Sequence, residues 1–239
     1  MTEFDQEQQL ARLGLNVSAV FNIENLPAAF IARLAQQCDD LHRYRQLILL
    51  GHLGPQLWQT LQQTPHIDWS ENPIDRFSQK HLSSYLQQNP EVSRFTLLYP
   101  SDKPVNLQAL GTLAGWHFPS PFMVGINVEW GSWFAYRAVA LVEANFHETP
   151  KAVMHSPCTN CYEKTCINSC PANALDNGQF DLSACTNFRL QKNSPCRRSC
   201  LARKSCDIGR QWQYSDEQME YHYQQSLETL LRWHTSADR

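Results

Sequence analysis

The chain has no apolar run approaching the eighteen or so residues that a membrane span requires, so no transmembrane segment and no membrane partner are expected. Met1 to Leu15 carries Glu3, Asp5 and Glu7. It lacks the basic start and apolar stretch of a secretory leader, and the cytoplasm is the expected compartment. No Walker-type phosphate loop, dinucleotide fingerprint, HExxH helix or Ser-His-Asp arrangement is present, which removes several common chemistries. Internal repeats and low-complexity tracts are missing too, apart from a mild glutamine excess. A chain of 239 residues also has little need of disulfide staples, because the buried fraction of its surface rises with length.

Cysteine, by contrast, is concentrated. Eight of the nine lie in the 49 residues from Cys158 to Cys206, opening with Cys-x2-Cys-x4-Cys-x3-Cys-Pro. In a reducing compartment such a cluster reads as metal-binding or catalytic. Four thiolates hold one 4Fe-4S cube. In a two-cluster ferredoxin run, the cysteine before proline serves the other cube. By that rule Cys158, Cys161 and Cys166 share a cube with a later cysteine, expected to be Cys206. Cys170, before Pro171, joins Cys185, Cys196 and Cys200. The x4 gap between Cys161 and Cys166 departs from the usual x2 and leaves this partition open. Two four-cysteine zinc sites would use the same ligands, although Cys196-x3-Cys200-x5-Cys206 lacks a second close Cys-x2-Cys knuckle. Disulfides or free thiols are the third reading. Cys38 reads as a small buried hydrophobe.

The formal charge of −3 is unevenly spread. Between Cys185 and Arg210 there are seven basic residues and one aspartate, a net +6 that leaves −9 elsewhere. Arg189, Lys192, Arg197, Arg198, Arg203, Lys204 and Arg210 could offset thiolate-ligated cubes, dock an acidic electron donor, or grip nucleic-acid phosphates.

Elsewhere the pattern alternates. Asn25-Leu26-Pro27, Gly54-Pro55, Asn72-Pro73 and Asn106 each open a helical stripe. Gln46–Leu50 and Phe95–Tyr99 read as buried strands. Phe122–Val128 and Trp133–Val142 read as a hairpin joined by Glu129-Trp130-Gly131-Ser132. Ser215-Asp216-Glu217-Gln218 is a capping box for a last helix bearing Met219, Tyr223, Leu227, Leu230 and Trp233. The expectation is an α+β body over 1–150 with a mixed sheet, a ferredoxin-like iron–sulfur lobe over 151–210, and a helix over 211–239 packing on the body.

From Cys158 to Cys206 the chain resembles the two-cluster module of epoxyqueuosine reductase, a cobalamin-dependent tRNA-modifying family. The order is the same: Cys-x2-Cys, Cys170-Pro-Ala-Asn-Ala-Leu, the isolated Ser-Ala-Cys185-Thr-Asn-Phe, then three clustered cysteines. The body is similar to cobalamin-processing proteins of the CblC type. That similarity rests on Asn72-Pro-Ile-Asp75, the Leu-Ala-Gly-Trp stretch ending at Trp116, Glu129-Trp-Gly-Ser-Trp-Phe-Ala-Tyr-Arg137-Ala-Val-Ala-Leu and Tyr214-Ser-Asp-Glu-Gln218. These resemblances imply a flavin-reductase/nitroreductase-like fold that holds a corrinoid. They place Arg137 at the corrinoid pocket, although an arginine leaving a strand can equally pair with a carboxylate. Trp116, Trp130 and Trp133 could wall the macrocycle or belong to the core. His117 could ligate cobalt as a neutral imidazole or bond its neighbours. The catalytic aspartate of the reductase family falls here on Ser101, with Asp102 one position away, and its Gly-Lys gives way to His117-Phe-Pro-Ser120. Both departures count against the same tRNA chemistry. The implied activity is an iron–sulfur, corrinoid-linked reductase fed by an external donor such as a flavodoxin, a ferredoxin or a reductase. The alternatives are a tRNA-modifying reductase and a non-enzymatic corrinoid chaperone or electron carrier.

Overall fold

A computed structural model describes residues 1–150, 155–176 and 179–237, with side chains as far as Arg232. Contacts group the chain into two units, and the grouping does not follow sequence order. One contains Met1–Gly115 with Phe134–Ala152, the other Trp116–Trp133 with Val153–Arg239. The sequence-based boundary at 150/151 adjoins residues 151–154, and its second side lies outside the described residues, as does the side chain of Trp233.

The first unit is built on a four-stranded sheet. Its strands are β1 (Val17–Asn22), β2 (Gln46–Leu53), β3 (Arg94–Tyr99) and β4 (Phe134–Glu143), in the order β1-β2-β4-β3. Every neighbouring pair is antiparallel, which corrects the expected mixed sheet. The reason is topological. A helical crossover joins β2 to β3, which would suit a parallel pair. The later strand β4 instead lies between them and bonds to both, as in a split β-α-β unit. β2 is buried at all eight positions, as befits an interior strand covered on both faces, and its unbroken apolar run follows from that.

Five helices accompany the sheet: α1 (Gln9–Arg12), α2 (Ala28–Gln37), α3 (Gln56–Gln63), α4 (Pro73–Gln88) and α5 (Leu107–Leu113). Pro73 occupies the first turn of α4, where its missing N–H costs nothing. Ile74, Phe77, Leu82 and Leu86 are the buried apolar stripe of that helix. Asn106 caps α5 as its sequence implies, accepting from the Ala109 N–H at 3.0 Å. Cys38 lies just beyond α2, buried, with its thiol donating to Asp40 at 3.1 Å.

Gly14 shows how tightly this unit closes. Its φ is +85°, and a Cβ there would lie 2.3 Å from the backbone nitrogen of Leu57. Gly14→Ala therefore combines left-handed strain with a clash against main chain. A loss of about 2 kcal/mol is expected, read as a lowered midpoint in urea unfolding. An unchanged midpoint would contradict the close approach.

The second unit contains α6 (Thr165–Asn168), α7 (Leu182–Leu190), α8 (Leu201–Lys204) and α9 (Asp216–Ala237). The expected hairpin is corrected here. Among the described residues 122–128 form no regular strand, only the isolated bridges Phe118–Ile126 and Asn127–Gly131. Met123 has φ +63°, and Ser120 closes a turn by donating to the Val124 carbonyl at 2.5 Å. Those two features interrupt an otherwise strand-like apolar run. The last helix, expected on the body, belongs with the cysteine segment. Met219 of α9 packs with Trp133 and Tyr214, and α9 also meets α7. Ser215 caps α9 as the capping box implies, accepting from the Gln218 N–H at 3.1 Å.

Candidate functional site

Chain folding sorts the eight cysteines by electrostatic neighbourhood. Burial pushes the Cys166 thiol up to about 11, with further upward pressure from Cys206, Cys158 and Cys161. Burial also raises Cys158, assisted by Cys206 and Cys161, and raises Cys206, assisted by Cys161. A second circle of influence joins Cys185, pushed up to about 11 by burial, to Cys200, Cys170 and Cys196. Cys196 is raised by burial and then by Cys200 and Cys170. The influences thus run within two quartets: Cys158, Cys161, Cys166, Cys206 and Cys170, Cys185, Cys196, Cys200. Among the described residues no disulfide joins any of the eight, or Cys38.

Among the described residues no three His, Cys, Asp or Glu side chains stand close enough to share a single metal ion. A cube makes a different demand, because each thiolate binds its own iron. The surroundings suit such a group. Cys166, Cys170 and Cys200 pack with Phe122, Leu175 and Ala202 in an apolar cluster. Main-chain N–H groups are directed at the sulfurs, from Ile167 to Cys166, Leu201 to Cys196 and Ile208 to Cys206. The Arg203 N–H reaches Cys200 at 3.4 Å. The Ser199 hydroxyl, between Cys196 and Cys200, is buried and has no hydrogen-bond partner among the described residues. An O–H in that position fits an acceptor that the side chains themselves do not supply.

The basic stretch is largely committed. Arg189 and Arg203 are 9% and 7% exposed. Arg189 donates to the carbonyls of Cys196 at 3.1 Å and Tyr223 at 3.2 Å, and to the Ser226 hydroxyl at 3.2 Å. Arg203 donates to the hydroxyl and carbonyl of Ser132 and lies 4.6 Å from the Trp133 ring and 5.0 Å from that of Tyr214. Neither guanidinium has a carboxylate in ion-pair range among the described residues. Buried cations without an anion are costly, whereas thiolate-held cubes would supply negative charge. On the surface, Lys204 pairs with Asp216 at 2.6 Å, Arg198 with Glu220 at 3.2 Å and Arg210 with Asp207 at 2.5 Å. Lys192 is exposed, and Arg197 donates to the Leu190 carbonyl at 3.1 Å.

The other sequence-derived site residues fall in both units. In the second, Trp116 is buried, with its ring 6.0 Å from that of Trp130 in an edge-on arrangement. His117 packs closely against Gly125, where a Cβ would come within 2.3 Å of its Nδ1. Burial lowers its pKa and keeps the imidazole neutral near pH 7, the form that ligates a metal. Trp133 is 0% exposed and is core, stacked by Arg203 and 5.5 Å from Tyr214. No face of its ring is left for a macrocycle. Its indole nitrogen has no partner among the described residues. The turn at Trp130-Gly131 is pinned by Ile208 and Gly209: a Cβ on Gly131 would meet the Ile208 carbonyl oxygen at 2.0 Å.

In the first unit Arg137 is the extra residue of a β-bulge. Tyr136 pairs with Gly51 and Ala138 with Leu50, so Arg137 has no opposite number. Bulges re-aim a side chain, and this one donates from Nε to His52 Nδ1 at 2.9 Å, with Asp75 at 3.8 Å. Burial raises Asp75 against the lowering effect of Arg137. Tyr99 is raised by burial and then by Asp75. A second bulge, which skips Leu98 on β3, precedes Tyr99. Sequence reasoning found Arg137 and the Asn72–Asp75 segment separately but did not join them, and it missed His52 and Tyr99. Ser101 donates to the Leu98 carbonyl at 2.6 Å, and Asp102 is exposed.

Solved structures share this architecture. An epoxyqueuosine reductase from Bacillus subtilis, with its catalytic loop swung out of the active site, is similar over 90% of this chain and 67% of its own, at 13% identity and a TM-score of 0.53. Another, in complex with a tRNA-Tyr stem loop, gives the same values. The fold is that of epoxyqueuosine reductase. The chain spans about two-thirds of the length of these enzymes, from 65% to 67%. A C. elegans B12-trafficking protein, CblC, is also similar, at 14% identity over 91% of this chain and 89% of its own, with a TM-score of 0.48. No protein-family model matches the chain, and no curated protein matches it in sequence. No helix among the described residues is long and apolar enough to cross a membrane.

Proposed function

We propose that this protein is an iron–sulfur, corrinoid-linked reductase. When bound, two 4Fe-4S clusters would supply single-electron relay and a cobalamin would supply a reducible cobalt centre. The observation that carries this reading is the sorting of eight thiols into two quartets beside two buried guanidiniums with no carboxylate partner among the described residues. Cys158, Cys161, Cys166 and Cys206 would hold one cluster, and Cys170, Cys185, Cys196 and Cys200 the other. Arg189 and Arg203 offset negative charge and hold the intervening loops in place. Toward a corrinoid, the resemblance to CblC-type proteins puts forward Arg137, a guanidinium held by His52 in the first unit, and separately His117 and Trp116 of the second unit, His117 as a neutral imidazole. Trp133 contributes from the core, by fixing Arg203. A flavodoxin, a ferredoxin or a reductase in the cytoplasm would be the electron donor.

The test is anaerobic incubation of the full chain with cobalamin and a low-potential reductant. The reading expects the Co(III) absorption bands to give way to those of reduced cobalt faster than without protein. No binding and no acceleration would sink it. Tight binding without turnover would select the chaperone or carrier reading. The shared fold with a reductase solved on a tRNA stem loop favours tRNA as the second reading. Salt-sensitive tRNA binding would support that alternative, which the pairing of most of the basic stretch makes less direct.

A further inference from the structure

Arg137, Arg189 and Arg203 are the buried arginines among the described residues, and they are bonded differently. Arg189 donates from Nε and from both terminal nitrogens. Arg203 does the same, its last donor reaching the Met219 sulfur at 3.9 Å. Arg137, 8% exposed, donates from Nε alone. Neither of its terminal nitrogens makes a hydrogen bond among the described residues, since Asp75, at 3.8 Å, lies beyond that range. A guanidinium carries five N–H donors, and leaving buried ones unused is costly. Arg189 and Arg203 are spent on their own unit, whereas Arg137 is a held cation whose fork is still open.

The bond that holds Arg137 also fixes the state of its partner. An arginine Nε–H can only donate, so Nδ1 of His52 is the bare, accepting nitrogen and the ring proton sits on Nε2. A proton on Nδ1 would set donor against donor and cation against cation. His52 is 1% exposed on β2, opposite Ala135 and so diagonal to the bulged Arg137. A carboxylate in that place would hold the guanidinium but cancel its charge. A neutral imidazole holds it and leaves the charge in place. The other titratable neighbours do little to cancel it. Burial disfavours the carboxylate of Asp75 on α4, and burial keeps Tyr99 on β3 a phenol.

We propose that His52 is the positioning residue of the Arg137 site: as a neutral Nε2–H imidazole it aims the guanidinium through one bond and leaves its charge and terminal nitrogens to an anionic group of the ligand. His52 touches Arg137 and not the ligand. This inference rests on the reading of Arg137 as a ligand-facing residue of the proposed site.

The experiment is NMR of the histidine and arginine side-chain nitrogens in the full chain, with inorganic phosphate as the probe anion. The wild-type protein should show a His52 ring bare on Nδ1 and protonated on Nε2, assigned by its loss in His52→Gln. The Arg137 Nε–H, assigned by Arg137→Lys, should exchange slowly with water and shift as phosphate is added. His52→Gln supplies another neutral acceptor and should keep both properties. His52→Leu should lose the slow exchange and bind phosphate about tenfold more weakly, the size of one charged hydrogen bond. A wild-type ring protonated on Nδ1, or an Arg137 signal that phosphate leaves unmoved, would overturn the inference. A merely structural role would lower the urea midpoint of both variants without separating Gln from Leu in exchange or phosphate affinity, and that result would overturn it too. A wild-type chain that shows these signatures but binds no cobalamin would sink the corrinoid reading alone and leave the inference standing.

Discussion

Cys196→Ala should leave about half the iron of the wild-type protein, near four atoms per chain in place of about eight. Cys158→Ala should do the same, and the double variant should bind almost none. The expectation follows from the two quartets: Cys196 answers electrostatically to Cys200 and Cys170, and Cys158 to Cys206 and Cys161. A thiol lost from one quartet leaves the other's ligand set whole. Cys38→Ala should retain full iron, since Cys38 is a buried thiol bonded to Asp40 in the sheet-bearing unit. The measurement is iron and acid-labile sulfide per chain after anaerobic reconstitution. Equal loss from every cysteine variant, Cys38 included, would contradict the partition.

Arg203→Met should be the most damaging substitution outside the cysteines. The guanidinium donates to the Ser132 hydroxyl at 3.1 Å and to the Ser132 carbonyl, and it packs against the rings of both Trp133 and Tyr214. Hydrogen bonds from a charged group contribute about 1.5–3 kcal/mol, and a desolvated cation–π contact about 2 kcal/mol. These contributions are not additive, so an overall loss of about 3 kcal/mol is expected, read as a fall in the urea midpoint of the loaded protein. Methionine fills the volume, so the loss reports charge and donors rather than a cavity. Arg203→Lys keeps the cation without the planar fork. It should recover cluster retention more than stability. A Met variant with unchanged midpoint and iron content would remove the arginine from its assigned role.

The parts legible in the sequence were those decided locally. Proline at the start of α4 and asparagine before α5 signal helix starts through their own backbone chemistry, and both are found there. What escaped was decided by distant residues. Nothing in Phe134–Glu143 says that it will slot between β2 and β3, yet that insertion turns the sheet antiparallel. Arg137 was visible as a residue. The bulge that carries it to His52 exists only in the register with Gly51 and Leu50. Residues 122–128 are apolar and β-prone, but a positive φ at Met123 and the Ser120 turn break the strand. Trp133 resembled a cofactor wall because its neighbours in sequence did. Its burial against Tyr214 and Met219 depends on a helix that begins more than eighty residues later.

The measurement that bears most directly on the account is the metal content of the full chain purified without air: iron, acid-labile sulfide and zinc together. About eight irons and eight sulfides per chain, with zinc near zero, are predicted. About two zinc ions with no sulfide would contradict the electron-transfer reading and make the eight cysteines a structural metal module.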